Sequence, residues 1–140
     1  MVLMVGASRV AESVAWRAAE ASGVTGISEV MYAPQPARPW LGGLIVATAT
    51  EYRYGSFKWF SNDRVRLDGE LIARGDWDQD VVRRAMQADD VRDYLTWSRF
   101  PFVRVEPAAA GTTVSFGDAR FTRGPSGGGL QGVSVVVAPD

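Results

Sequence analysis

Between Ser8 and Ala21, apolar residues recur every three or four positions: Val10, Val14, Ala18 and Ala21, with Ala11, Ala15 and Ala19 beside them. That period predicts an amphipathic helix. Ser8 suits its N-cap, and Gly23 suits the C′ position that ends it. The pattern turns to strand at Glu29–Tyr32 and breaks at Ala33-Pro-Gln-Pro-Ala-Arg-Pro39. Prolines this dense cannot continue a central strand, so the segment predicts a surface crossing, partly polyproline II. A Pro-rich peptide motif is the competing reading, disfavoured by the segment's place between elements of one domain.

From Leu44 to Phe60 the chain is rich in β-branched and aromatic residues. The run is too long for one ordinary strand, so it predicts two strands or one bent strand, with Gly55 marking a bulge. Asp68-Gly69, set between apolar alternations from Arg64 to Ala73, predicts a hairpin. Helical spacing returns from Trp77 to Arg99. Val81, Val82 and Ala85 form one stripe; Val91, Tyr94, Leu95 and Ser98 form another, with a break near Ala88. Asp76 with Gln79 fits a capping box. Pro101 ends the helical region, because a proline disfavours α conformation in the residue before it. Strands follow at Phe102–Glu106, Thr112–Phe121 and Gly132–Ala138, with a turn at Gly124–Gly129. Helix, strands, helices, strands: this order predicts an α+β fold. Its sheet would be mainly antiparallel, of about five to seven strands, with an N-terminal helix and a central helical pair packed on it.

Composition narrows the chemistry. The 140 residues fit one soluble domain, and 46% hydrophobic against 22% charged is ordinary for a globular chain. A net charge of −1 with no basic run lacks the electrostatic footprint of a nucleic-acid binder, so no nucleic-acid partner is expected. There is no histidine and no cysteine. Zinc sites built on those ligands, Fe–S clusters, thiol nucleophiles and Ser-His-Asp catalysis are thereby excluded. An enzyme here would work with carboxylates, Tyr, Lys58 or a carboxylate-bound divalent cation. No apolar run is long enough to span a membrane. The opening MVLMVG lacks the charged start of a signal peptide. It reads either as an arbitrary start of the chain or as the last turn of a membrane helix that begins upstream.

Several groups are candidate sites. Asp76, Asp78 and Asp80 resemble metal ligands but lack the glycine and terminal Glu of a calcium loop; a helix N-terminus wants the same charges. Gly127–Gly129 lacks the helix and the cation of a phosphate loop and reads as a turn. Tyr52, Tyr54 and Trp59 lie among alternating sheet aromatics, which either pack under helices or, on an open face, hold a ligand or meet a membrane interface. Asp118 and Arg120, at i and i+2, put opposite charges on one strand face. Arg99 and Arg104 precede or begin the neighbouring strand. The four predict either an ionic cluster ordering the helix–strand junction or a shallow anion-attracting patch.

The stretch WSRFPFVRVEP, followed after a variable turn by VSFGDARF, resembles the C-terminal soluble domain of a bacterial family, the membrane-bound metal-dependent hydrolases. These are also described as LexA-binding, inner-membrane-associated hydrolases. The Ala-rich helix ending at Gly23, VMYAPQP before Trp40, the aromatic strands and DDVRDYLTW fit the same pattern, so the resemblance spans nearly the whole chain. In that family the metal ligands are placed in the membrane-embedded N-terminal part. The resemblance therefore implies a non-catalytic accessory domain with no cofactor of its own, the soluble part of an inner-membrane protein. Its partners would be the membrane-embedded segment of the same protein or a second copy of the chain. Two alternatives stand beside it: a small-ligand or anion-binding module, and a carboxylate-based hydrolase. Within WSRFPF, Trp97 and Phe100 are expected to seal the helix end, Pro101 to force the turn and Phe102 to begin the strand.

Overall fold

The computed structural model describes residues 2–122 and 132–140; the predicted turn at Gly124–Gly129 lies outside them. The fold is α+β, and its seven described strands form two antiparallel sheets, one of four strands and one of three. The chain divides into two compact units, residues 1–72 and 73–140. Among the described residues no helix is long and apolar enough to cross a membrane.

The first unit opens with α1 (Val2–Ala21), followed by β1 (Ile27–Gln35), β2 (Arg38–Thr48), β3 (Glu51–Lys58) and β4 (Val65–Ala73), in that order across the sheet. The helix starts six residues before the expected Ser8. The Ser8 hydroxyl instead donates back to the Met4 carbonyl at 3.1 Å, one turn earlier. The run VLMVGA holds no proline and one tolerated glycine, so the helix propagates back to Val2. At its other end Gly23 takes φ 90°, with Val24 N–H bonded to Ala19 O and Gly23 N–H to Glu20 O. This is the Schellman closure that glycine permits.

The buried ridge of α1 is Ala11, Ala15 and Ala19, each 0% exposed, whereas Val10 is 51% exposed. Four-residue spacing puts the three alanines one above another. Having only methyl groups, they let the helix lie close on Val30, Tyr32, Leu44, Val46 and Phe57 of the sheet. The prolines do not make a separate crossing. Pro34 lies in β1, an edge strand, Pro39 in β2, and the hairpin turns at residues 36–37. An edge strand tolerates a missing N–H.

The long β run divides into β2 and β3, as its length predicts. Gly55 is not a bulge: the pairing of β2 with β3 is continuous through Leu44 and Gly55. Its small size serves a close approach, since a Cβ there would lie 2.6 Å from the Arg66 carbonyl oxygen. Asp68-Gly69 makes no hairpin either. β4 runs through it, with Gly69 at φ 76°, and lies beside β3 in the sheet.

The second unit holds α2 (Asp80–Ala85), α3 (Asp89–Trp97), β5 (Pro101–Ala108), β6 (Gly111–Asp118), a 3₁₀ turn at Ala119–Phe121, and β7 (Val133–Val137). The helices break at Ala88 as the spacing predicts. Asp76 does not cap α2; its carboxylate takes the Asp78 N–H at 3.0 Å, and Gln79 is the N-cap. Val82, Ala85, Val91 and Tyr94 meet Val103, Val114 and Phe116 on one face of the sheet. Phe102, Arg104, Ser115 and Ser134, at alternate positions, take the opposite face.

Candidate functional site

The junction between α3 and β5 is built around one carboxylate. Asp118 ends β6 opposite Pro101, and its side chain is 0% exposed. Oδ2 accepts the Ser98 hydroxyl at 2.9 Å, the Arg99 N–H at 2.9 Å, the Phe100 N–H at 3.4 Å and an Arg120 terminal nitrogen at 2.8 Å. Oδ1 accepts the Arg120 backbone N–H at 2.9 Å, and Arg120 Nε lies 3.1 and 3.2 Å from the two oxygens. A carboxylate offers roughly four lone-pair directions, so these donors saturate it. Arg120 also donates to the Trp97 carbonyl at 3.3 Å, and Ala119 N–H bonds Phe100 O at 2.9 Å. Helix end, strand start and 3₁₀ turn are thus held by one buried ion.

The electrostatics follow from these contacts. Burial opposes ionisation of Asp118, but the Arg120 guanidinium and the N–H and O–H donors of Arg120, Ser98 and Arg99 outweigh it. They hold the carboxyl below its usual range. Burial and then the Asp118 charge push the Tyr94 phenol up, with Arg120 acting the other way. The Arg120 guanidinium is raised by its bond to Asp118.

Of the four charges in the predicted cluster, Asp118 and Arg120 form the ion pair at this junction. Asp118 and Arg120 pair, but not as neighbours on a strand face: β6 stops at Asp118, whose side chain caps the following 3₁₀ turn. Arg99 joins through its backbone N–H, while its guanidinium stands 5.1 Å over the Phe100 ring. The Arg104 guanidinium lies 5.2 Å over Phe102. Phe100 seals the junction at 1% exposure. Trp97 does not: it is 51% exposed, because the chain leaves the helix at Ser98 in an extended conformation and the indole rests outside, 4.8 Å from Tyr94. The chain bends at Arg99 and Phe100, and Pro101 is the first residue of β5, with Phe102 next in the strand. Ser98 and the two backbone donors escaped the sequence reading. A serine directly before an Arg-Phe-Pro turn was the available signal.

The sheet aromatics are placed elsewhere. Tyr52 and Tyr54 are 1% and 6% exposed, so neither presents a ring face to solvent. Trp59 packs edge-on against Phe57 and Tyr32, and its indole N–H donates to the Tyr32 hydroxyl at 3.2 Å. The acidic run stays local: Asp76 closes its own turn and Asp80 pairs with Arg83. No group of three His, Cys, Asp or Glu side chains close enough to hold a metal occurs among the described residues.

A cleft of about 260 Å³ opens on the outer face of the three-stranded sheet, bordered by Phe102, Arg104, Ser115, Ser134, Phe121 and the wall that hides Asp118. Two further hollows hold Glu12 and Glu70 respectively. Each of the three has a single carboxylate, whereas glycosidase-type hydrolysis needs two acids about 5–10 Å apart across one site. Comparison with known proteins places the chain in no group: no family model, curated protein or solved structure matches it.

Proposed function

We propose that this chain is a non-catalytic interaction domain that works by contact, as the soluble part of a bacterial inner-membrane protein. The observation that carries the non-catalytic half is Asp118. It is the one buried carboxylate among the described residues, and every lone-pair direction is already occupied by protein donors. A general base needs a free lone pair aimed at a substrate proton. The contact half is supported by the first turns of α1, where Leu3, Met4 and Val5 are 90%, 68% and 59% exposed. Apolar side chains displayed together on a helix mark a surface for another apolar surface. The resemblance of WSRFPFVRVEP and VSFGDARF to the membrane-bound hydrolase family supplies the parent and the partner: the membrane-embedded segment, or a second copy.

The test is turnover. The purified chain is expected to hydrolyse no member of an ester and phosphoester panel, with or without added divalent cations. Hydrolysis that survives repurification and disappears in Asp118→Asn would overturn the reading.

A further inference from the structure

We infer that the cleft on the outer face of the three-stranded sheet is a binding site for a small aromatic monocarboxylate. Strand pairing sets Arg104, Ser115 and Ser134 in one row across β5, β6 and β7. Nothing about the core requires that row, because these residues face away from the α2–α3 layer.

Each part of the row has a defined capacity. The Arg104 guanidinium is exposed, and among the described residues no carboxylate pairs with it; its contact is the Phe102 ring beneath, 5.2 Å away. A guanidinium whose contact is a ring, and not a carboxylate, keeps its N–H donors for a ligand, and those donors match a carboxylate in a two-point fork. The Ser115 and Ser134 hydroxyls are 2.9 Å apart. One donates to the other, which leaves one O–H proton of the pair to point outward. The floor is flat for a steric reason: the Phe102 ring lies across Gly117, where a Cβ would be 2.4 Å from it. Phe121 forms a second aromatic wall.

Charge fixes the class. The acid in the cleft wall, Asp118, is 0% exposed and already paired with Arg120, so among the described residues the charge left to a ligand is the single cation of Arg104. One cation and one hydroxyl proton suit a monoanion; a phosphate dianion would call for a second free cation. Size agrees, because about 260 Å³ lies just under the range of drug-sized pockets and fits a single ring with its carboxylate. This site is additional to the contact surface of α1 and does not depend on the chain being non-catalytic.

Sodium benzoate is the probe, titrated into the ¹⁵N-labelled full chain and followed by amide shifts. Saturable shifts are expected at Phe102, Arg104, Ser115 and Ser134, with a Kd on the order of 1 mM for a ligand this small. Arg104→Gln should weaken binding at least about tenfold while shifting the melting temperature little, since this exposed side chain has no ion pair to lose among the described residues and Gln keeps part of the cover over the Phe102 ring. Ser115→Ala should weaken it less. No saturable shift at these amides by about twenty times the expected Kd would overturn the inference. So would equal binding of benzyl alcohol, which shows that the cation is idle. A response to inorganic phosphate without one to benzoate would also overturn it, in favour of a plain anion site.

Discussion

At the scale of single residues, Asp118 has the largest expected effect. Its carboxylate is the acceptor for four residues, three of them from the chain between Ser98 and Phe100 and its own neighbour Arg120. Replacing it with Asn halves the acceptor capacity and leaves the Arg120 guanidinium, 24% exposed, without its counter-ion. Breaking a buried pair from one side costs about 3–5 kcal/mol. Asp118→Asn should lower the unfolding free energy obtained from urea melts by about that amount at neutral pH. Acid should erase the difference. The native pKa of Asp118 is depressed, so its stabilisation is fully present above the unfolded value of about 4 and is lost as pH falls through the native value. Urea melts of wild type and Asp118→Asn should therefore converge at acid pH; a constant gap would mean that shape, and not charge, holds the junction. The pair Asp118–Arg120 is legible in the sequence as neighbouring opposite charges. Ser98 and the N–H donors are not, because only the pairing of Pro101 with Asp118 brings them there from about twenty positions away. Ser115 and Ser134 are hidden for the same reason: polar strand residues look alike until register sets two of them side by side.

At the scale of elements, α1 is governed by the smallness of its buried row. Ala15 has no exposed surface and touches a sheet face already filled by Leu44, Val46 and Phe57. Ala15→Leu should cost about 1–3 kcal/mol by overpacking, whereas Val10→Ser, on the exposed flank, should stay within about 0.5 kcal/mol. Thermal melts of the two variants decide this; equal losses would mean that the helix is not seated on the alanines. The period of α1 is legible, but its buried face is not, since hydrophobicity points to Val10 and Val14 while close packing selects alanine. The helix pair is legible from Val82, Ala85, Val91 and Tyr94, whose spacing and burial agree. Asp68-Gly69 misleads because turn chemistry is local, while the choice between a hairpin and one long strand belongs to β3. The proline segment misleads similarly: whether a strand is an edge strand is not written within the strand.

At the scale of the whole chain, the two units have separate cores, one around Phe57 and the alanine ridge, the other around Val114 and Phe116. Local opening free energies differ from one cooperative unit of a structure to another. Phe57→Ala should remove about 3–5 kcal/mol from the first. Hydrogen exchange should then quicken at Leu44 and Val46 far more than at Val114 and Phe116; uniform quickening would make the chain one cooperative body. The buried carboxylate adds a matter of timing. Ser98, Arg99 and Phe100 are synthesised 18–20 residues ahead of the acid that receives them. At ordinary translation rates the corner waits about one to four seconds for its acceptor. A chain cut short of residue 118 therefore keeps three donors without their acceptor, and its junction between α3 and β5 stays unclosed.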